Sequence, residues 1–169
     1  MIQIIDDIIS QEYADKIESL FLSLNFPWYY IKDITDVGNQ QRPAFTHQLF
    51  NERTVNAEVL EFLTPLMESS GINGKLIQAR SFLQMPLSYN FPTPDDPHID
   101  LDYPHTVLLY YVKDSDGETI IYDDKLNEKQ RIMPKKGRAV IFDGSQWHTA
   151  LQPKLDTRCI INFDFYSSP

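Results

Sequence analysis

The chain has 169 residues, 42% hydrophobic and 23% charged, which suits one domain over 1–169 with enough apolar material for a core. Fifteen basic against 24 acidic residues leave a net charge of −9, which repels phosphate backbones and argues against a nucleic-acid partner. The one cysteine, Cys159, excludes an intrachain disulfide; no apolar run reaches membrane-spanning length and the first residues lack a basic leader, so a cytoplasmic protein without a membrane partner is expected.

"MIQIIDD" reads as a short strand. Ser10 is placed to cap a helix whose apolar residues Tyr13, Ile17, Leu20, Phe21 and Leu24 follow helical spacing, with Asn25 and Pro27 ending it. "FPWYYIKDI" is aromatic and extended, and residues 38–52 are polar and read as a loop. A second helix over 54–69 carries Val55, Val59, Phe62, Leu63 and Leu66 on one side; Pro65 should kink or split it, and Gly71 and Gly74 end it. From residue 75 the pattern turns to strands: "KLIQARSFLQM", "TVLLYYV", "ETIIYD", "QRIMP", "RAVIFD" and "TRCIINFDFY" are divided by Pro, Gly, Asp or Asn turns. Helices first and strands later exclude a regular βαβ alternation and point to a sandwich or jelly roll with helices on its N-terminal side.

"PHIDLDYPH", residues 97–105, holds an H-x-D triplet at His98 and Asp100. Alone it is a weak signal, because acidic chains contain such triplets by chance. An imidazole and a carboxylate one residue apart can chelate one face of a divalent ion, and a second histidine would complete the two-His, one-carboxylate set of non-haem Fe(II) sites. His148 is the available candidate, after the turn that follows "RAVIFD". Ten residues further on, Arg158 opens the last strand and shares one face with Ile160, Asn162 and Asp164. A buried arginine there needs an anion, and its fork suits the far carboxylate of a dicarboxylate.

From H-x-D (98–100) through "TVLLYYV", "DGET" (116–119) and "MPKKGRAVIFDGSQWH" (133–148) to Arg158, the chain resembles the prolyl-4-hydroxylase-like superfamily of 2-oxoglutarate- and Fe(II)-dependent oxygenases over residues 76–166. The resemblance implies a mainly β (α+β) fold, a double-stranded β-helix (jelly roll) core over about 75–166 with supporting helices in 1–74. It implies Fe(II), 2-oxoglutarate and O2 as cofactors and co-substrates, with His98, Asp100 and His148 as the catalytic iron ligands. Arg158 would bind the distal carboxylate of 2-oxoglutarate, Tyr111 would place its hydroxyl against the same group, and Asn162 would stand beside Arg158 near the co-substrate. Gln84 occupies a strand where many relatives carry a tyrosine, and it is a further co-substrate candidate.

Neighbouring residues carry plainer readings. His105 reads as a surface or supporting residue rather than a ligand, Asp102 as a rival to Asp100 that the family's spacing disfavours, Glu118 as a turn or framework residue and His47 as a solvated histidine with a lid role as the alternative. Trp147 is read as packing or substrate contact, Trp28, Tyr29 and Tyr30 as aromatic core with a substrate groove as the alternative, Tyr110 as core, and Cys159 as a small buried residue. The activity implied is hydroxylation of a C–H bond with release of succinate and CO2. A peptidyl residue such as proline is the first expectation, a free amino acid or small metabolite the alternative, and an inactive jelly-roll binding module the competing class. Related nucleic-acid demethylases carry a second arginine six residues after the co-substrate arginine; here that position is Asp164. The 86–97 loop, "PLSYNFPTPDDP", is expected to help build the substrate mouth.

Overall fold

A computed structural model describes residues 1–34, 42–87 and 94–166. Strand β1 (Ile2–Ile5) is followed by helix α1 (Gln11–Phe21), strands β2 (Tyr29–Ile31), β3 (Ala44–Asn51) and β4 (Arg53–Thr54), and helices α2 (Ala57–Phe62) and α3 (Thr64–Ser69). Seven strands complete the chain: β5 (Leu76–Gln84), β6 (His105–Tyr111), β7 (Thr119–Tyr122), β8 (Glu128–Ile132), β9 (Ala139–Asp143), β10 (His148–Ala150) and β11 (Arg158–Tyr166). They form a larger sheet in the order β1-β9-β6-β11-β5-β3-β2, with β4 beside β3, and a smaller sheet β10-β7-β8. Every pairing is antiparallel. This is the double-stranded β-helix expected from the sequence. No helix of the described residues is long and apolar enough to cross a membrane.

The two faces of β11 explain the layering. Successive strand side chains point to opposite sides. Cys159, Ile161, Phe163 and Phe165 join Leu108, Tyr110 and Val112 in a core that the helices cover with Ala14, Ile17, Phe21, Leu63 and Leu66. Ile160, on the opposite face, joins Val107, Leu109, Tyr111, Ile121, Ile132, Val140 and Phe142 between the two sheets. The polar residues Arg158, Asn162 and Asp164 share that inner face and are buried in it. The fold therefore commits one side of its central strand to packing and places chemistry on the other.

Local signals behave as their chemistry dictates. Ser10 caps α1 by accepting a hydrogen bond from Tyr13 N at 3.3 Å. Pro65, in the first turn of α3, divides the expected second helix into α2 and α3. Residues 44–51 correct the sequence reading: they are strand β3, not loop. Their polar side chains disguise a strand whose backbone bonds are taken up by β5 and whose Ala44, His47 and Leu49 point inward. His47 is accordingly buried rather than solvated, with Nδ1 2.6 Å from Pro27 O and Nε2 3.1 Å from Asn56 Nδ2. Trp28 packs at the helix-side core, whereas Tyr29 and Tyr30 are exposed, because β2 is the sheet edge.

Candidate active site

The gap between the sheets opens into a cavity of about 420 Å³ bordered by His98, Asp100, His148, Arg80, Arg158 and Asn162. His98 and His148 are joined as an antiparallel bridge, with each backbone N–H donating to the other's carbonyl at 3.0 Å. That bridge brings two imidazoles from distant segments together, their ring centroids 4.6 Å apart. His98, Asp100 and His148 each offer a ligand atom, and these atoms lie within 4.8 Å of one another.

The tautomers follow from the neighbours. His98 Nδ1 lies 3.3 Å from Asp96 O, and His148 Nδ1 lies 3.2 Å from Gln146 O. A carbonyl only accepts, so each Nδ1 carries the hydrogen, and the Nε2 of His98 is left for a ligand. Burial opposes a charge on His148, but the hydrogen bond to Asp100 and that carboxylate's charge outweigh it and raise the His148 pKa, so its Nε2 gives up a proton before it takes a metal. Burial, reinforced by the charge of His148, pushes the His98 pKa down to about 4, so its ring is neutral at pH 7. Burial opposes the charge of Asp100, but hydrogen bonding to His148 and the charges of His148, Arg80 and His98 outweigh it and keep the carboxylate ionised. Asp100 Oδ2 stands 3.3 Å from His148 Nε2 and Oδ1 accepts from Arg80 Nη2 at 2.7 Å. Two neutral-capable imidazoles and one carboxylate converging on a partly enclosed cavity are a donor set that fits Fe(II).

Arg158 lies at the far end of the cavity, 3% exposed. Its Nε donates to Gly117 O at 2.9 Å, Nη1 to Gln84 Oε1 at 2.9 Å and Nη2 to Thr119 Oγ1 at 2.8 Å. The Tyr111 ring lies 5.9 Å below the guanidinium and its hydroxyl donates to Thr119 Oγ1 at 2.7 Å. Five N–H bonds minus these three leave two to offer a ligand. Gly117 is required here, since a Cβ would stand 2.9 Å from Arg158 Cδ. Gln84 thus stands beside Arg158. Asn162 stands four residues along β11, at the metal end, where its amide donates to Asp100 Oδ2 at 3.1 Å. It touches the carboxylate of the candidate metal set rather than the Arg158 guanidinium.

Several residues were not foreseen. Thr119 ties Arg158 to Tyr111. Asp95 is buried against Gln84, 3.3 Å away, and pairs with Arg42, itself 1% exposed. Arg80 grips Asp100. All are polar residues inside otherwise apolar or loop segments, and only their partners in space distinguish them from surface residues. His105 is buried at the start of β6, not on the surface, with Nδ1 2.8 Å from Tyr103 O. It forms a second close group with Asp100 and Asp164. Burial and the nearby Asp100 charge push the Asp164 pKa up to about 7. Asp102 is exposed, Glu118 pairs with Arg131 at 3.0 Å, and Trp147 does not line the cavity. Of the 86–97 loop, residues 88–93 lie outside the described residues.

Residues 89–166 match the model of the 2OG-Fe(II) oxygenase superfamily. No curated protein matches the chain. Among solved structures, an oxidoreductase of the 2OG-Fe(II) oxygenase family from Burkholderia pseudomallei is similar at TM-score 0.74 and 11% identity, covering 98% of this chain and 84% of that one. A prolyl hydroxylase from Trichoplax adhaerens, in complex with a hypoxia inducible factor oxygen degradation domain peptide, is similar at TM-score 0.69 and 14% identity, covering 98% and 83%. HygX from Streptomyces hygroscopicus, with nickel, 2-oxoglutarate and hygromycin B bound, is similar at TM-score 0.63 and 10% identity, covering 99% and 83%. Residues 89–166 thus carry the 2OG-Fe(II) oxygenase pattern, and the chain shares its fold with these solved structures.

Proposed function

We propose that His98, Asp100 and His148 hold Fe(II), and that Arg158 takes the distal carboxylate of 2-oxoglutarate with Thr119, Tyr111 and Gln84 fixing its fork. The observation that carries this reading is the convergence of two imidazole nitrogens and a carboxylate oxygen within 4.8 Å in the cavity that also presents Arg158. Bound Fe(II) with 2-oxoglutarate and O2 supplies the oxidant for hydroxylating a C–H bond, with succinate and CO2 released. The chain's own residues set orientation. The Nδ1 contacts aim the imidazoles, and Asn162 and Arg80 hold the Asp100 carboxylate. Phe82, Leu109 and Ile160 line the cavity with apolar surface that limits water.

The substrate we favour is a peptidyl residue such as proline, supported by the likeness to the peptide-bound Trichoplax hydroxylase. A small metabolite is the second reading, supported by the likeness to HygX and by a cavity near the lower end of the range for small-molecule sites. We assign residues 1–169 to one domain and the protein to the cytoplasm, where a reducing interior suits Fe(II) and a free buried thiol.

Anaerobic titration of metal-free protein with Fe(II) and then 2-oxoglutarate tests the site. The expected result is the weak visible charge-transfer band of the chelate, absent in His148→Ala and weakened at least about tenfold in 2-oxoglutarate affinity in Arg158→Ala, a loss of about 1.4 kcal/mol. Iron uptake without the band overturns the co-substrate assignment. Folded protein that takes up no iron overturns the oxygenase reading in favour of a binding module.

A further inference from the structure

Among the described residues, Arg80 is the one cation bordering the cavity that the proposed site leaves with donors to spare. It shares the inner face of β5 with Phe82 and Gln84, opposite Asn162 of β11. Its guanidinium lies 5.4 Å from the Phe82 ring centroid. Nη2 donates to Asp100 Oδ1 at 2.7 Å, the one hydrogen bond its side chain makes among the described residues. Nε is buried without a partner. About a quarter of the side chain, 24%, remains exposed, and the residue lines the cavity beside His98 and His148. Arg158 differs on every count: it is 3% exposed and donates three hydrogen bonds to the protein.

A guanidinium nitrogen removed from water without an acceptor is costly. In a chain with 24 acidic residues, a structural arginine has carboxylates in plenty for its remaining donors. Here the remaining donors stand beside the candidate metal, immobilised by Asp100 at one edge and by Phe82 at one face. A planar fork held in that way suits a carboxylate, with geometric selectivity that a lysine would lack. The walls between the two arginines are apolar, from Ile34, Phe82, Leu109 and Ile160. That combination accepts a short hydrocarbon body carrying an acid group.

Resting on the oxygenase reading, we propose that Arg80 is the specificity-determining residue that binds a carboxylate of the substrate, so that the hydroxylated carbon lies close to a free acid group. The acid is either that of a free amino or carboxylic acid or the side chain of an acidic residue in a peptide. Arg158 anchors the co-substrate at one end of the cavity and Arg80 anchors the substrate at the other.

The full chain, loaded anaerobically with Mn(II) and 2-oxoglutarate, is titrated calorimetrically with matched acid and amide pairs. These are L-proline against L-prolinamide, L-leucine against L-leucinamide, and short capped peptides carrying Asp against the same peptides carrying Asn. At least one acid is expected to bind about tenfold or more tighter than its amide, and whether a free acid or an Asp peptide does so identifies the source. Arg80→Gln is expected to abolish the acid preference, and Arg80→Lys to retain part of it. A merely structural role would weaken metal uptake without changing the acid-to-amide ratio. Equal binding of acid and amide, no binding of any acid, or a preference that survives in Arg80→Gln overturns the inference. If Arg80→Gln takes up no Mn(II), the ratios in wild type and Arg80→Lys decide alone. Failure of wild type to take up Mn(II) and 2-oxoglutarate sinks the oxygenase reading itself, whereas uptake without acid preference sinks only this inference.

Discussion

Thr119 accepts hydrogen bonds from both Arg158 Nη2 and the Tyr111 hydroxyl, so one methyl-for-hydroxyl exchange strands two buried donors. Thr119→Val should lower the stability of the metal-free protein by about 1–3 kcal/mol and weaken 2-oxoglutarate about tenfold, read by chemical denaturation and by the chelate titration. Gly144 exposes a different constraint. A Cβ built there would stand 2.0 Å from His105 Nε2, inside the imidazole. Gly144→Ala should therefore destabilise the fold by about 1–3 kcal/mol through overpacking, measurable as a lowered urea midpoint with unchanged slope. At this scale the sequence singled out His98, Asp100, His148 and Arg158 as candidates, because each stands in a motif of recognisable order, and the fold brings them to one cavity. Arg80, Thr119 and Asp95 were invisible, because each is an ordinary polar residue until a partner from another strand or loop meets it.

Strand β1 closes one edge of the larger sheet, and its register on β9 runs from Ile2 opposite Phe142 to Ile5 opposite Ala139. Asp6 follows immediately and accepts from Arg138 Nε at 2.6 Å and Lys135 Nζ at 3.2 Å. The hydrogen bond from Arg138 dominates and pulls its carboxyl from 3.8 to about 2. A folded pKa below the unfolded one means that folding releases a proton between the two values, so the contribution is complete above about pH 4 and fades as pH falls through 2. Asp6 is 42% exposed, and solvent screening keeps the effect below about 1 kcal/mol. Asp6→Asn should lower the urea midpoint slightly at pH 7, with the difference from wild type vanishing near pH 2; a difference that grew on acidification would contradict this account. Elements with strong periodicity or capping chemistry, such as α1 and β11, were legible in the sequence. Strand β3 was not, because its stabilisation lies in backbone pairing with β5 and its inward His47 resembles a loop residue in isolation.

The helices and the smaller sheet take opposite faces of the larger one, and this division determines where function can reside. Phe21 of α1 is fully buried against that sheet, with its ring 4.5 Å from Phe26. Phe21→Ala should cost about 3–5 kcal/mol, measured by equilibrium denaturation, while the His98–His148 bridge on the other face keeps its geometry. Alternation along β11 could be read from the residue types, since a strand needs opposite faces and the apolar and polar residues segregate between them. So could the order of the motifs proposed to hold metal and co-substrate, because each depends on local sequence. The meeting of residue 98 with 148, of 80 with 100 and of 84 with 158 could not, because those pairs are set by sheet order and register, which arise from the packing of many distant side chains at once. The presence of the chemistry was therefore local information, and the shape of its cavity, with a buried arginine at one end and a partly open one at the other, was a property of the closed β-helix.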